Sequence, residues 1–319
     1  MDGYHSSFAH VVIYGSRWTS YICNGAISNK AMLSELIDIT AYDWDGMPPC
    51  GFFEVLGKRG TGKTSWTQYI TQFSPTRSVG TFVVVAGSET AKASWSKIVH
   101  PIFVYDPEIQ ALEKICDTQS AIVKGFHREG TPVPPDRHVT VVLDDVSSNK
   151  KLMRSQVISS MASNSRHLNM SVFILVQYHC QIVSEVRNQF DTVFMLNTAD
   201  KRSIERVHAE YCSVVDLRVF KHVMGHVTKD FGMLVIDNRS TDPDIKTICF
   251  YASMASYPPV IERLGAPELW EWCEDHYGDP DEPRPDPEDA DEWEQSSYDP
   301  QKTSHTITDR RGRLTIRKV

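Results

Sequence analysis

The residue run with the most chemical content is Gly57-Lys58-Arg59-Gly60-Thr61-Gly62-Lys63-Thr64-Ser65, which fits G-x-x-x-x-G-K-[ST]. Its glycines let the backbone fold tightly, so that successive N–H groups converge on phosphate oxygens. The helix that should begin at Lys63 adds the positive end of its dipole. Lys63 supplies a mobile positive charge for the β and γ phosphates, and the Thr64 hydroxyl is a magnesium ligand. The run follows FFEVL and precedes SWTQYITQF, a strand and a helical segment, which is the setting this chemistry needs. A second run, His138-Val-Thr-Val-Val-Leu-Asp144-Asp145, is an apolar strand ending in two acids. Asp144 would hold Mg²⁺, and Asp145 would orient or deprotonate an attacking water. A third, Ser171-Val-Phe-Ile-Leu-Val-Gln177, ends a strand in an amide that could sense the γ-phosphate. ATP and Mg²⁺ are the implied ligands.

These residues need a sheet to hold them. From residue 50 onward, short β-branched or aromatic runs alternate with longer helical segments, which predicts a mostly parallel α/β sheet flanked by helices. Strands are expected at Phe52–Leu56, Thr81–Val85, Ile102–Tyr105, Val139–Leu143, Ser171–Val176, Thr192–Leu196, Met233–Ile236 and Ile245–Phe250. Helices are expected at Lys63–Phe73, Pro107–His127, Lys151–Ser163, Ile182–Gln189 and Lys201–Tyr211. The predicted division is an N-terminal extension over 1–45, a P-loop ATPase domain over 46–257 and a charged tail over 258–319. The extension offers only a possible strand at Val11–Tyr14 and a possible helix at Lys30–Ile39.

Charge and composition exclude several classes. The chain has 319 residues and a formal net charge of −8. Glu268–Asp299 holds 14 acids against one base, and Pro300–Val319 holds six bases against one acid, so residues 1–267 net to zero. A balanced body argues against a surface coated in basic charge. The Pro-rich acidic stretch over 278–301 cannot bury enough apolar surface to offset ordering entropy, and disorder is the expectation there. No run approaches the ~18 apolar residues of a membrane-spanning helix. The first ten residues lack the pattern of a signal peptide, which points to an intracellular location. Seven dispersed cysteines without a C-x-x-C pair read as reduced thiols. No Asn-Lys-x-Asp guanine reader follows either Asn-Lys pair (29–30 and 149–150), which speaks against a GTPase.

The order Val141–Asp145, Ser165-Arg-His-Leu-Asn169, Ser171–Gln177 and Val186-Arg187-Asn188-Gln189-Phe190-Asp191 resembles the virion DNA-packaging ATPases of large double-stranded DNA viruses. These form the poxvirus-type branch of the FtsK–HerA superfamily, with a RecA-like P-loop NTPase fold. The resemblance covers roughly 45–255, includes the closing strand Gly232–Asp237, and matches the Arg-x-Asn-x-Asp element only loosely. It implies a pentameric or hexameric ring that moves double-stranded DNA into a capsid at a virus-assembly site. It raises Gln177 to a sensor and offers Arg166 as an arginine finger acting on a neighbouring subunit, with Arg187 as the rival. The second acid here is Asp145, where many superfamily members carry Glu. Two other readings remain open at the sequence level: another DNA translocase or helicase of the superfamily, and a nucleotide-binding assembly adaptor without turnover.

Overall fold

The computed structural model describes residues 39–242, 245–253, 262–277, 305–309 and 312–316. The expected strand at Val11–Tyr14, nearly all of the expected helix at Lys30–Ile39, and the acidic stretch over 278–301 lie outside these residues.

Nine strands form one sheet: β1 (Thr40–Ala41), β2 (Gly51–Leu56), β3 (Thr81–Ala86), β4 (Val104–Tyr105), β5 (Val139–Asp144), β6 (Met170–Val176), β7 (Thr192–Met195), β8 (Met233–Asp237) and β9 (Cys249–Ala252). Their spatial order is β1-β9-β8-β7-β2-β6-β5-β3-β4. Six of the eight pairings are parallel; only β7–β8 and β8–β9 run antiparallel. The expected mostly parallel sheet is therefore present.

Both faces of the sheet are covered, which is why its strands read as continuous apolar runs. Side chains alternate between two cores. Phe52 and Leu56 of β2 join Val141, Leu143, Val172 and Ile174 on one face. Phe53 and Val55 join Val142, Phe173 and Leu175 on the other. The second core receives the buried Trp66, Tyr69 and Ile70 of α1 (Lys63–Thr71) and Trp95 of α2 (Glu89–Trp95). The first receives α3 (Ile109–Arg128), α4 (Lys150–Met153), α5 (Gln156–Asn164), α6 (Ser184–Arg187), α7 (Lys201–Tyr211) and α8 (Leu217–Val227).

Several expected elements differ. The helix foreseen over Lys151–Ser163 is two helices, because Ser155 takes an extended backbone (ψ 153°) and its hydroxyl donates to Leu152 O at 2.6 Å. The helix foreseen over Ile182–Gln189 is the single turn α6, preceded by a 3₁₀ turn at His179–Gln181. The strand foreseen at Ile245–Phe250 begins only at Cys249. A helical turn, α9 (Ile245–Ile248), precedes it, with the Thr247 hydroxyl donating to Asp242 O at 2.8 Å. Helices α2 and α8 were not foreseen. Nor was α10 (Pro267–Tyr277), which buries Trp270 and Cys273. The Trp270 indole donates to Leu264 O at 2.8 Å, and the Arg263 guanidinium lies 4.5 Å above its ring.

A second unit, Glu274–Val319, contains the antiparallel hairpin β10 (His305–Asp309) and β11 (Gly312–Ile316). No described helix is long and apolar enough to cross a membrane.

Candidate nucleotide site

The run Gly57–Ser65 is the connection from β2, at the centre of the sheet, to α1. The end of β6 and the segment just after β7 anchor it: Gly57 N–H donates to Val176 O at 3.1 Å, and Lys58 N–H donates to Asn197 O at 3.2 Å. Thr61 Oγ1 donates to Lys58 O at 2.8 Å and pins the bend. Gly62 caps α1 at φ 85°, a left-handed conformation that disfavours any side chain. No side chain caps the start of α1, so its first N–H groups are open to an anion. The Lys63 ammonium curls over the loop and donates to Gly57 O at 2.8 Å and Lys58 O at 3.2 Å. Burial lowers its pKa, against the pull of Asp144 and Asp145.

Asp144 ends β5 on the α1–α2 face and is 3% exposed. Thr64 Oγ1 donates to its Oδ2 at 2.8 Å, and the Trp95 indole donates to the same oxygen at 2.9 Å. Two motifs 80 residues apart in sequence thus meet through one hydrogen bond. Burial raises the Asp144 pKa, and the Trp95 and Thr64 hydrogen bonds oppose it. A buried carboxylate beside a hydroxyl is an all-oxygen donor pair, which fits a hard divalent cation such as Mg²⁺. Mg²⁺ takes few protein ligands and completes its shell with water and phosphate oxygens. The lack of any cluster of three His, Cys, Asp or Glu ligands among the described residues is compatible with that mode.

Asp145 leaves the strand at φ 56° and is exposed. Its carbonyl lies so close to Gly87, at the end of β3, that a Cβ there would stand 2.1 Å from the oxygen. The close approach fixes the turn that presents the second acid. Gln177 follows β6, which pairs with β2 through Leu56–Val176, so it leaves the sheet beside the loop. Its N–H donates to the Gln181 side chain at 3.2 Å.

The two arginines lie elsewhere. Arg166 precedes β6 and pairs with Asp191, which precedes β7; the second Asp191 oxygen accepts from Phe52 N–H at 2.9 Å. All three sit at the ends of the strands opposite the loop, roughly 20 Å from it at ~3.3 Å per residue. The Arg166 side chain is 63% exposed. It lines a polar cleft of about 620 Å³ with His167, Asn188, Asp191 and Arg239. Arg187, by contrast, is 5% exposed; its Nε donates to Glu210 at 3.1 Å and its Nη1 to Ile182 O at 2.6 Å.

Arg187 belongs to a network that the sequence did not reveal. Glu54, fully buried in the middle of β2, faces the His179 ring: Nδ1 is 2.8 Å from Glu54 Oε2, and Nε2 is 2.8 Å from Glu210 Oε2. Burial pushes the His179 pKa down, but Glu54 and Glu210 outweigh it and hold the imidazole above its ordinary value. Burial likewise raises Glu210, and Arg187 and His179 outweigh it and lower its pKa. With the imidazole protonated, the four side chains are two anions and two cations. The acid within FFEVL was the visible signal; its partner lies 125 residues away. Trp95 and Gln181 gave no signal of their own.

A family model described as Poxvirus A32 protein matches residues 52–252. Protein 075L of Invertebrate iridescent virus 6 is 26% identical over 189 residues, 59% of this chain and 70% of its own length. Protein 015R of Frog virus 3 is 24% identical over 225 residues, 69% of this chain and 66% of its own length. Among solved structures, the genome packaging NTPase B204 from Sulfolobus turreted icosahedral virus 2 is similar at a TM-score of 0.45 and 14% identity, over 65% of this chain and 98% of that one. The pCW3 conjugation coupling protein TcpA is similar at a TM-score of 0.44 and 15% identity, over 79% and 68%. The match over 52–252 contains the P-loop, Asp144, Asp145 and Gln177, and bears out the resemblance read from those residues: the chain belongs to the Poxvirus A32 protein family.

Proposed function

We propose that the protein is an ATPase that packages double-stranded DNA into a viral capsid, acting as a homo-oligomeric ring. The observation that carries the ATPase reading is the 2.8 Å hydrogen bond from Thr64 to Asp144, which joins the phosphate-binding loop to the acidic strand end. Membership of the Poxvirus A32 protein family supports the packaging role.

Position supports the following roles. The N–H groups of residues 57–65 and the start of α1 hold the phosphates, and Lys63 neutralises the β–γ end. Thr64 and Asp144 would hold Mg²⁺, which when bound neutralises charge on the phosphate oxygens. Asp145, exposed at its turn, accepts a proton from the attacking water or orients it, and Gln177 fixes that water near the γ-phosphate. Arg166 is too far from its own loop to serve it, so its exposed guanidinium acts on a neighbour's γ-phosphate, where charge develops. Arg187 holds Glu210 and His179 and is assigned a positioning role. Because residues 1–267 net to zero charge, the surface that meets DNA is concentrated in a channel created by assembly.

ATP turnover of the full chain with and without double-stranded DNA, read beside its mass in solution, tests the proposal. The expected result is a multimer whose turnover rises with DNA. A monomer with no turnover in either condition would overturn it.

A further inference from the structure

Phe231 is 61% exposed, the most exposed of the large apolar side chains among the described residues. A single exposed apolar residue is ordinary, but this one has an unusual seat. It lies in the loop from α8 to β8, and β8 runs antiparallel to β7, which brings the loop to the same end of the sheet as the P-loop. Its ring borders the P-loop directly: a Cβ on Gly62 would stand 3.7 Å from Phe231 Cδ1.

The loop is also held under strain. Asp230 and Phe231 are consecutive non-glycine residues at φ 48° and 60°, a region that bulky side chains rarely occupy. Two contacts keep them there. The indole of the fully buried Trp66, in α1, donates to Phe231 O at 2.8 Å. Gly232 N–H donates to Lys229 O at 2.7 Å. The second closes the loop, and the first ties it to the helix that starts at Lys63.

Sheet order supplies the direction. Asp144 and Asp145 leave β5, two strands to one side of β2, while β7 and β8 lie on the other side. A nucleotide whose γ-phosphate points toward Asp144 carries its base toward β7 and β8. We infer that Phe231 is the base-stacking platform of the nucleotide site, giving it a preference for purines over pyrimidines. The inference rests on the nucleotide-binding reading of the P-loop. A phenyl ring offers a π-face without hydrogen-bond donors or acceptors, so it favours a large base over a small one and separates adenine from guanine poorly.

Binding of ADP, CDP and inorganic tripolyphosphate to the full chain by calorimetry tests the inference. Phe231→Ala should weaken ADP roughly tenfold, reduce the ADP-over-CDP preference, and leave tripolyphosphate unchanged. Phe231→Trp should restore ADP binding. Unchanged ADP affinity in Phe231→Ala, or an equal loss for ADP and tripolyphosphate, would overturn the platform. Failure of the underlying reading has a different signature: the unaltered chain would bind neither ADP nor tripolyphosphate, or Lys63→Ala would leave both unaffected.

Discussion

Replacing His179 with leucine takes the imidazole from between Glu54 and Glu210 while keeping an apolar side chain in its place. Glu54 is 0% exposed, and the His179 ring is the partner that faces it at 2.8 Å. Removing one partner of a buried ion pair costs about 3–5 kcal/mol, because the other charge stays out of water uncompensated. In a domain of this size 1 kcal/mol corresponds to roughly 2–4 °C in Tm. His179→Leu should therefore lower Tm by roughly 6–20 °C. Replacing both partners with leucine removes the uncompensated charge along with its partner, and such swaps are often neutral or stabilising. The Glu54→Leu/His179→Leu chain should thus recover most of the loss.

The same network sets a pH dependence. The His179 pKa is raised in the folded state from 6.5, so its contribution is full below 6.5 and fades as pH rises through the raised value. Glu210 is lowered from 4.5, so its contribution is full above 4.5 and fades as pH falls through the lowered value. Both are full between these pH values, and the alkaline decline should vanish in His179→Leu. Thermal unfolding of the full chain across pH, for the two single variants and the double, is the assay. A loss below ~1 kcal/mol for His179→Leu, or a double variant as unstable as the sum of the singles, would show that Glu54 and His179 are not coupled in this way.

Three further outcomes follow from the site. Asp145→Asn should bind ATP with little change yet lose turnover by roughly 100-fold or more, measured by calorimetry and phosphate release; retained turnover would remove Asp145 from catalysis. Arg166→Ala subunits mixed into unaltered rings should depress turnover more than their fraction, and strictly proportional activity would argue against a finger acting between subunits. Deleting 278–319 spares the buried Trp270 and Cys273 of α10 and removes a strongly acidic segment together with the basic end. The salt dependence of DNA binding should change, and an unaltered slope would leave that segment without a part in it.

Much of this was legible in the sequence where local chemistry and structure coincide. The loop at 57–65 is written in its glycines and lysine, and the strands are written in apolar runs because both faces of the sheet are covered. Asp144 and Asp145 were visible as acids ending such a run. What escaped depends on distant partners. Helix α2 reads as mixed polar, yet Trp95 within it reaches Asp144. The acids around Trp270 and Cys273 hid α10, whose burial comes from segments far along the chain. Glu54 passed as part of the strand FFEVL, and His179 and Glu210 could not be matched to it from spacing. Phe231 became notable only when the antiparallel β8 carried its loop to the P-loop.

Displacement of a third strand from a DNA triplex reads out whether this nucleotide site drives motion along double-stranded DNA. The full chain with ATP and Mg²⁺ should displace the strand, and Lys63→Ala should not. ATP turnover without displacement, or displacement that survives Lys63→Ala, would show that this site does not power movement along DNA.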